Sequence, residues 1–350
     1  MPATTRLVRL HLGGGTPTIL PAGLMDQLLV GIKAIFGSDA LEEFSVEIDP
    51  TEVGHDRLEV LAKHGLNRAS LGVQDFDPKV QKAIGRMQSV EETRSTVAML
   101  AELGVSALNI DLLYGLPFQT RDSLRRTLDD VLSLSPTRIA LYGYAHVPWM
   151  SKRQQVIPTA ALPNPEQRFD LFLDAQSRFV HAGYDAIGID HFALPEDSLA
   201  QARKQGRLAR SFQGYTDDKV SRLIGLGASA ISRFPEGYAQ NQSATAHYQS
   251  EVAAGHSAVA RGVVLHGWDR TKGDIIEALM CYHAVDLGDL EAPVDEAASW
   301  LADLATAWPE AMRFDGNRLD IHEWAHPLVR IFAARLGQTV SEEQTYSAAI

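Results

Sequence analysis

The chain has 350 residues, of which 45% are hydrophobic and 22% charged, enough for one large domain with a smaller one or for two medium domains. Its 44 acidic residues outnumber 32 lysines and arginines, and the formal net charge of −12 argues against nucleic acid or an anionic membrane as the main partner. A single cysteine, Cys281, excludes an internal disulfide. Without a long apolar run or a signal peptide, the sequence predicts a cytoplasmic protein.

Short runs with apolar residues at alternate positions recur along the first half of the chain and predict strands. The runs are Val8–Leu12, Phe44–Ile48, Ala69–Val73, Leu108–Leu112, Ile139–Leu141 and, with a less regular pattern, Tyr184–His191. The segments between them have helical spacing. This alternation of strands and helices predicts a parallel sheet, either open or closed into a barrel.

Two of the helical segments carry specific structural predictions. Ser89, followed three residues later by Glu92, is typical of a capping box that starts a helix. In the segment after the first strand, one stripe of apolar residues recurs at helical spacing and predicts a helix. Its members are Leu24, Leu28, Ile32 and Ile35.

Polar side chains occupy the strand face opposite the apolar one. They are Ser45, Glu47 and Asp49 on the second run, Ser70, Gly72 and Gln74 on the third, and Asn109 and Asp111 on the fourth. Strands of a two-sided open sheet are more often continuously apolar, whereas the functional groups of a barrel collect at its carboxyl-terminal ends. The faces therefore favour a barrel or a partial barrel.

The alternation of strands and helices fades after about Phe212. The glycine-rich stretch Asp217–Ile231 is predicted to close the barrel, and from about Gly262 the pattern is helical. The sequence therefore predicts two domains, a partial barrel at residues 1–262 and a small helical domain at 263–350.

Three consecutive glycines open the segment Gly13–Pro17, directly after the first strand. Since glycine has no Cβ, its backbone can approach a ligand closely, but a tight turn from strand to helix explains the pattern equally well. The segment matches neither a Walker A loop nor GxGxxG, so it does not predict a nucleotide-phosphate site.

Three polar residues stand at equivalent strand ends, namely Glu47, Gln74 and Asp111. A carboxylate in such a place suits a ribose hydroxyl or an ammonium group. Taken alone, Glu47 is equally explained as a surface acid, and Arg86, in a helix-forming stretch, as a solvated arginine. Together these residues predict a binding site at the ends of the strands.

The segment His322–His326 reads HEWAH and matches HExxH, a zinc pattern that carries a glutamate base. That site needs an uninterrupted helix and a third ligand downstream. Pro327 disfavours helical geometry at the second histidine, and the carboxylates that follow are limited to Glu342 and Glu343. A zinc hydrolase is therefore the last alternative, and no metal ligand is assigned.

Several blocks of sequence, in order, resemble the oxygen-independent coproporphyrinogen III oxidases, which are radical S-adenosylmethionine enzymes of haem biosynthesis. They are HLGGGTPT (11–18), SVEIDP (45–50), RASLGVQDFDPKVQKAIGRMQ (68–88), LNIDLLYGLPFQT (108–120), RIALYGYAHVPW (138–149) and DHFALPEDSLA (190–200). DHFA and FQGYT (212–216) favour the oxidase over its haem-chaperone relatives. The resemblance extends from about Leu10 to Met280.

The resemblance implies an α/β fold, a partial (β/α) barrel of radical S-adenosylmethionine type with a small C-terminal helical domain. It implies a 4Fe–4S cluster, two S-adenosylmethionine molecules and the oxidative decarboxylation of coproporphyrinogen III to protoporphyrinogen IX by a 5′-deoxyadenosyl radical. By resemblance, the residues that contact the cluster-bound S-adenosylmethionine are Gly14, Glu47 and Ile231. Those that contact the second molecule are Gly15, Thr16, Gln74, Arg86, Asp111 and Ala145. No catalytic residue is assigned.

The sequence departs from the family in its cysteines. The family holds its cluster with a CxxxCxxC motif ahead of the glycine block, and Cys281 alone cannot supply three thiolates. We expect an N-terminally truncated enzyme that lacks the first strand–helix unit, most simply through a start codon assigned too far downstream. The alternative is a cluster-less relative that binds a tetrapyrrole or S-adenosylmethionine without turnover.

The expected partners are coproporphyrinogen III and an electron donor that the sequence does not identify. Neither a nucleic acid nor a membrane is expected as a partner, and the protein is predicted to be a monomer.

Overall fold

The computed structural model describes residues 6–211, 214–218, 222–291 and 294–337. The chain divides into two units, with the division between Ala200 and Gln201. The domain boundary predicted between residues 262 and 263 lies inside the second unit and stays a prediction. Across the described ranges, no helix is both long and apolar enough to cross a membrane.

A seven-stranded sheet forms the centre of the first unit. Its strands are β1 (Arg9–Leu12), β2 (Glu43–Ile48), β3 (Arg68–Gln74), β4 (Ala107–Tyr114), β5 (Arg138–Gly143), β6 (Asp185–Ile187) and β7 (His191–Ala193). Their order across the sheet is β1-β2-β3-β4-β5-β7-β6, and β1 to β5 pair in parallel with their sequence neighbours. The predicted α/β class with a parallel sheet is confirmed, and curvature into a partial barrel stays a prediction.

The sixth predicted strand, Tyr184–His191, is wrong as a single element. It is replaced by β6 and β7, which pair antiparallel with each other, and β7 also runs antiparallel to β5. Gly188 lies between the two strands with a φ of +57°. Because this left-handed conformation interrupts the extended backbone, the chain turns back where the sequence pattern predicted continuation.

Helices alternate with the parallel strands of the first unit. They are α1 (Ala22–Phe36), α2 (His55–Lys63), α3 (Pro78–Ile84), α4 (Val90–Glu102), α5 (Arg121–Ser133) and α6 (Pro165–His181). The predicted capping box at the start of α4 is confirmed. The N–H of Glu92 donates to Ser89 Oγ at 3.1 Å, and the N–H of Ser89 donates to the Glu92 carboxylate at 2.7 Å.

The helix predicted after β1 is present as α1, but the apolar stripe noted in the sequence is not the buried one, except at Ile32. Leu24, Leu28 and Ile35 are 52%, 41% and 74% exposed. The buried residues of α1 are Met25, Leu29 and Ile32. Both stripes have helical spacing and lie side by side on the helix, so periodicity alone does not decide which one faces the sheet.

The apolar residues of the strands face the helices and form the core of the first unit. Phe44, Leu71 and Ile110 are fully buried in it. The ring of Phe192 on β7 lies 4.9 Å from that of Phe179 on α6. Because successive strand residues point to opposite sides, the intervening polar residues share the other side of the sheet. We call this side the polar face.

A network of buried ion pairs occupies the amino-terminal part of the polar face. Arg138 Nη2 lies 2.6 Å from Asp197 Oδ1, and Arg68 Nε lies 2.9 Å from Glu43 Oε2. Arg68 also reaches Asp197, at 3.4 Å. Burial, followed by the neighbouring Arg68, lowers the pKa of Arg138. The opposite charges in this network stabilise each other. The polar residues nearer the carboxyl ends of the strands form a different cluster, the candidate site.

The second unit contains several small antiparallel sheets and helices. Its strands are β8 (Ala209–Ser211), β9 (Gly214–Thr216), β10 (Ile231–Phe234), β11 (Gly237–Asn241), β12 (Val259–Val264), β13 (Ala284–Asp286), β14 (Met312–Phe314) and β15 (Arg318–Ile321). With α7 (Ser198–Lys204) at the division, its helices are α8 (Thr245–Ala253), α9 (Trp268–Tyr282), α10 (Val294–Ala307) and α11 (Val329–Gly337). The part after residue 262 is therefore helical as predicted, but it also holds the sheet β13-β15-β14.

Two sequence predictions fall partly outside the described residues. In the FQGYT block, Phe212 and Gln213 lie outside them, whereas Gly214–Thr216 form β9. In the stretch predicted to close the barrel, residues 219–221 lie outside them as well. Of the described remainder, Leu223 forms an isolated antiparallel bridge with Arg233 of β10.

The corrected stripe of α1 is testable with two leucines one position apart. We expect Leu29→Ala to lower the free energy of unfolding by about 3 kcal/mol, because it removes a fully buried side chain and leaves a cavity. Leu28→Ala, the matched control, removes an exposed side chain and is expected to cost less than about 1 kcal/mol. Urea unfolding measures both, and equal losses would show that Leu28 is packed as tightly as Leu29.

Candidate functional site

The candidate site lies at the carboxyl ends of β2, β3 and β4, on the polar face. The strand register sets Glu47 opposite Ser70, and Ser70 opposite Asn109. Two residues further along, Gly72 is opposite Asp111. Neighbouring strands are about 4.8 Å apart and each residue advances about 3.3 Å, so the Cα atoms of Glu47 and Asp111 are about 12 Å apart, with β3 between them.

Glu47 contacts the glycine loop that follows β1. Its Oε2 accepts a hydrogen bond from the N–H of Gly14 at 3.0 Å, and its Oε1 lies 3.6 Å from His11 Nε2. The interaction with His11 is the largest cause of a lowered pKa for Glu47, and burial opposes it. A Cβ at Gly13 would lie 2.8 Å from Oε1 of Glu47, so a side chain there would force the Glu47 carboxylate to shift.

The rest of this loop is open to solvent. Gly14 and Gly15 are exposed, with φ values of +85° and +145°. Thr16 is half-buried and precedes a short 3-10 helix, Pro17–Ile19, without capping it through its side chain. The three predicted loop residues therefore lie together beside Glu47, with backbone groups available on the exposed side.

Asp111 is the most enclosed acid of the site. Its Oδ2 accepts a hydrogen bond from Ser70 Oγ at 3.0 Å, and its Oδ1 accepts one from Asn109 Nδ2 at 2.7 Å. Burial raises the pKa of Asp111, the hydrogen bonds from Ser70 and Asn109 lower it, and so does His191, whereas the nearby charge of Glu47 raises it. A carboxyl group balanced in this way responds to the charge of a ligand.

Arg86 and Gln74 lie over Gly72 at the end of β3. The guanidinium of Arg86 donates from Nη2 to Asp49 Oδ2 at 3.0 Å and to the carbonyl of Gly72 at 2.9 Å. A Cβ at Gly72 would lie 3.2 Å from both Arg86 Nη2 and Gln74 Nε2. Gln74 has a φ of +68°, at an irregularity in the β3–β4 pairing. Arg86 is therefore part of the site rather than a solvated helix residue.

Two predicted contact residues are not joined to this cluster. Ala145 lies beyond the end of β5, and its carbonyl accepts a hydrogen bond from Gln154 Nε2 at 3.0 Å. Ile231 begins β10 in the second unit. Their predicted roles rest on the resemblance alone.

The sequence analysis missed His11 and Asp190. His11 joins Glu47 to Ser45, whose Oγ is 2.9 Å from His11 Nδ1. Asp190 is buried, with Oδ1 2.7 Å from Nδ1 of His191. The position of His11 on the polar side of β1 was a usable signal, because alternation places it with Arg9 and opposite the apolar residues.

The HExxH segment does not form the helix that a zinc site needs. Glu323–Leu328 is a 3-10 helix that contains Pro327. The ring of His326 is stacked on that of His283, with centroids 3.8 Å apart and planes 11° from parallel. Glu342 and Glu343 lie outside the described residues. This geometry gives the zinc-hydrolase alternative no support.

The sequence matches a known family model and relatives with assigned names. Residues 4–131 match the family model described as the Radical SAM superfamily. Two relatives named oxygen-independent coproporphyrinogen III oxidase, from Paracoccus denitrificans and Cereibacter sphaeroides, are 46% and 47% identical to this chain. The first alignment covers 99% of this chain and 77% of the relative, and the second covers 94% and 74%.

The fold of the chain also matches a solved structure. The coproporphyrinogen III oxidase from Escherichia coli, described as a radical SAM enzyme, matches with a TM-score of 0.89 and 35% sequence identity. The match covers 95% of this chain and 78% of that one. The chain therefore spans about three-quarters of the length of these relatives.

Because His283 is buried, we expect the free energy of unfolding to fall in acid. Burial, followed by His326 and Arg203, lowers its pKa from 6.5 to about 3. Because the folded state favours the neutral ring, the stability that His283 contributes is complete above pH 6.5 and is lost as the pH falls from 6.5 toward 3. Between pH 6.5 and 5 the expected loss is about 2 kcal/mol.

Urea unfolding at pH 7 and pH 5 tests this expectation. His283→Asn removes the titrating group and retains a residue that tolerates the φ of +59° at this position, so it should reduce the difference between the two pH values. His266→Asn, at an exposed histidine of the same unit, is the matched control and should leave the difference unchanged. Equal pH dependence in His283→Asn and the wild type would contradict the prediction.

Proposed function

This chain belongs to the oxygen-independent coproporphyrinogen III oxidases, a family of radical SAM enzymes, and on that premise we propose that the ends of β1 to β4 form its S-adenosylmethionine site. The proposed reaction class is the oxidative decarboxylation of coproporphyrinogen III, the substrate in the names of its relatives. The observation that carries the proposal is the placement of Glu47 and Asp111 at the carboxyl ends of β2 and β4, on the same side of the sheet, with a glycine loop in contact with Glu47.

The residues present fit S-adenosylmethionine. The ligand carries a sulfonium, an ammonium and ribose hydroxyls, all of which suit carboxylate acceptors. Within the described residues, Asn109 Oδ1 and Arg86 Nε are buried without a hydrogen-bond partner, and both belong to side chains of the site. Such atoms are costly in a native structure unless a ligand or water satisfies them.

The assignments for the two S-adenosylmethionine molecules are proposals of unequal support. Glu47 and Gly14, which contact each other, are assigned to the first molecule. The residues assigned to the second molecule that belong to the same cluster or loop are Gly15, Thr16, Gln74, Arg86 and Asp111. Ala145 and Ile231 are retained from the resemblance, with no supporting contact.

The family's 4Fe–4S cluster does not fit this sequence. Such a cluster needs three protein thiolates when its open iron binds S-adenosylmethionine. The sequence has one cysteine, Cys281, and its side chain is fully buried in the second unit. Among the residues described here, no group of three or more metal-ligating side chains occurs. We therefore derive no step through a cluster for these 350 residues.

The cysteine count favours a second candidate function for the 350-residue chain, namely binding of S-adenosylmethionine or a tetrapyrrole without turnover. In the full family reaction, coproporphyrinogen III is the substrate and an electron donor is required. We propose a cytoplasmic monomer that binds neither nucleic acid nor membranes, in accord with the net charge of −12.

Titration calorimetry with S-adenosylmethionine tests the site. We expect Glu47→Gln and Asp111→Asn each to weaken binding by about 5- to 150-fold, because each removes a charged contact worth about 1–3 kcal/mol. Glu91→Gln, at an exposed acid on α4, is the matched control and should bind like the wild type. Wild-type affinity in both site variants would show that the ligand does not lie at these strand ends.

Reconstitution tests the cofactor separately. After treatment with iron and sulfide, the 350-residue chain is expected to show no stoichiometric 4Fe–4S absorption and to form no 5′-deoxyadenosine, because it lacks the thiolates. A ferredoxin carried through the same procedure is the positive control. A stoichiometric cluster in this chain would reveal ligands other than cysteine.

A further inference from the structure

A buried histidine–aspartate pair lies on the polar face, on a strand to which the site assignments give no role. His191 and Asp190 are 7% and 8% exposed. Nδ1 of His191 is 2.7 Å from Oδ1 of Asp190, and the carbonyl of Asp190 accepts a hydrogen bond from the N–H of Leu141 at 2.7 Å. The Asp190 carboxylate therefore holds the imidazole of His191 through Nδ1, and the backbone of Leu141 holds Asp190 through its carbonyl.

The imidazole of His191 points to the same side of the sheet as Asp111. The next residue, Phe192, packs against α6, so alternation along β7 turns His191 to the polar face. In the register of the sheet, His191 is opposite Ala140, and Ala140 is opposite Asp111. Two strand spacings put the backbones of Asp111 and His191 about 10 Å apart. On the strand between them, Ala140 contributes a methyl group, and the ring of Tyr142 meets the His191 ring edge to face with centroids 5.7 Å apart.

The charged groups that face Asp111 act in opposite directions. Burial is the largest cause of its raised pKa, and Glu47 on β2 raises it as well. Against them act the hydrogen bonds from Ser70 and Asn109 and the positive charge of His191 on β7. His191, which is paired with Asp190 at 2.7 Å, is thus the residue on β7 whose interaction lowers the pKa of Asp111.

We infer that His191, fixed by Asp190, is a positioning residue that keeps Asp111 ionised as the anionic partner of a cationic ligand. The inference rests on the proposed function, since S-adenosylmethionine is that ligand. An ionised Asp111 attracts the sulfonium or ammonium group, whereas a protonated Asp111 loses this attraction. Glu47 is separable from this effect because His11, not His191, is the main cause of its lowered pKa.

The test is the pH profile of S-adenosylmethionine affinity, measured by calorimetry on the 350-residue chain from pH 5 to pH 9. Wild-type affinity should fall on the acid side as Asp111 takes up a proton. His191→Gln should move the midpoint of this fall upward by about one pH unit, the effect expected of a charge about 10 Å away at an effective dielectric constant of about 20. His191→Asn, which removes the same charge with a smaller side chain, should move it in the same direction.

The same measurements in the Asp111→Asn variant separate an electrostatic role of His191 from a merely structural one. In Asp111→Asn the acid-side fall should disappear, and adding His191→Gln should change the profile no further. His181→Gln, at an exposed histidine on α6, is the matched control and should reproduce the wild-type midpoint. A thermal melt of each variant establishes that it is folded, and if His191→Gln is not, His191→Asn decides.

The outcomes distinguish the inference from the function on which it rests. An unchanged midpoint in folded His191→Gln or His191→Asn overturns the role of His191, and so does a shift that persists when Asp111 is asparagine. No binding of S-adenosylmethionine by the wild type at any pH overturns the proposed function and the inference with it. An upward shift that requires Asp111 supports both.

Discussion

The register of the parallel strands is the constraint on which the first unit depends. Successive strand residues point to opposite sides, so one register sends Phe44, Leu71 and Ile110 under the helices and brings Glu47 and Asp111 to the polar face. A slip of one residue would exchange the two sides and bury both carboxylates among apolar groups. The cost of burying an unpaired charge therefore selects the same register as the hydrophobic core.

The two ends of the polar face differ in how completely their charges are matched. At the amino-terminal end, Arg68 and Arg138 share Asp197, so each buried charge has an opposite charge within reach. At the carboxyl end, the partners of Asp111 on β3 and β4 are the neutral groups of Ser70 and Asn109. Matched charges stabilise a structure, whereas an acid supported by neutral donors retains the capacity to bind a cation.

The sequence predicted what depends on local pattern and missed what depends on tertiary contact. Alternation located β1 to β5 and the polar residues of the site, because a strand with one buried face repeats every two residues. It did not resolve the two stripes of α1, since the choice between Leu28 and Leu29 is made by the packing of the helix on its neighbours. Nor did it show that Asp190 fixes His191, because nothing in the order of residues specifies the rotation of a side chain.

Binding and cleaving S-adenosylmethionine place separate demands on the chain. Binding needs carboxylates, backbone groups and a space free of Cβ atoms, and the loop and strand ends around Glu47, Gly13 and Gly72 have these features. Reductive cleavage also needs an electron delivered through a thiolate-bound cluster, and Cys281 alone cannot hold one. Because the two demands fall on different residues, S-adenosylmethionine affinity tests the proposed site without any contribution from the redox chemistry. The electrostatics of Glu47, Asp111 and their histidine neighbours are for that reason accessible to measurement in the absence of turnover.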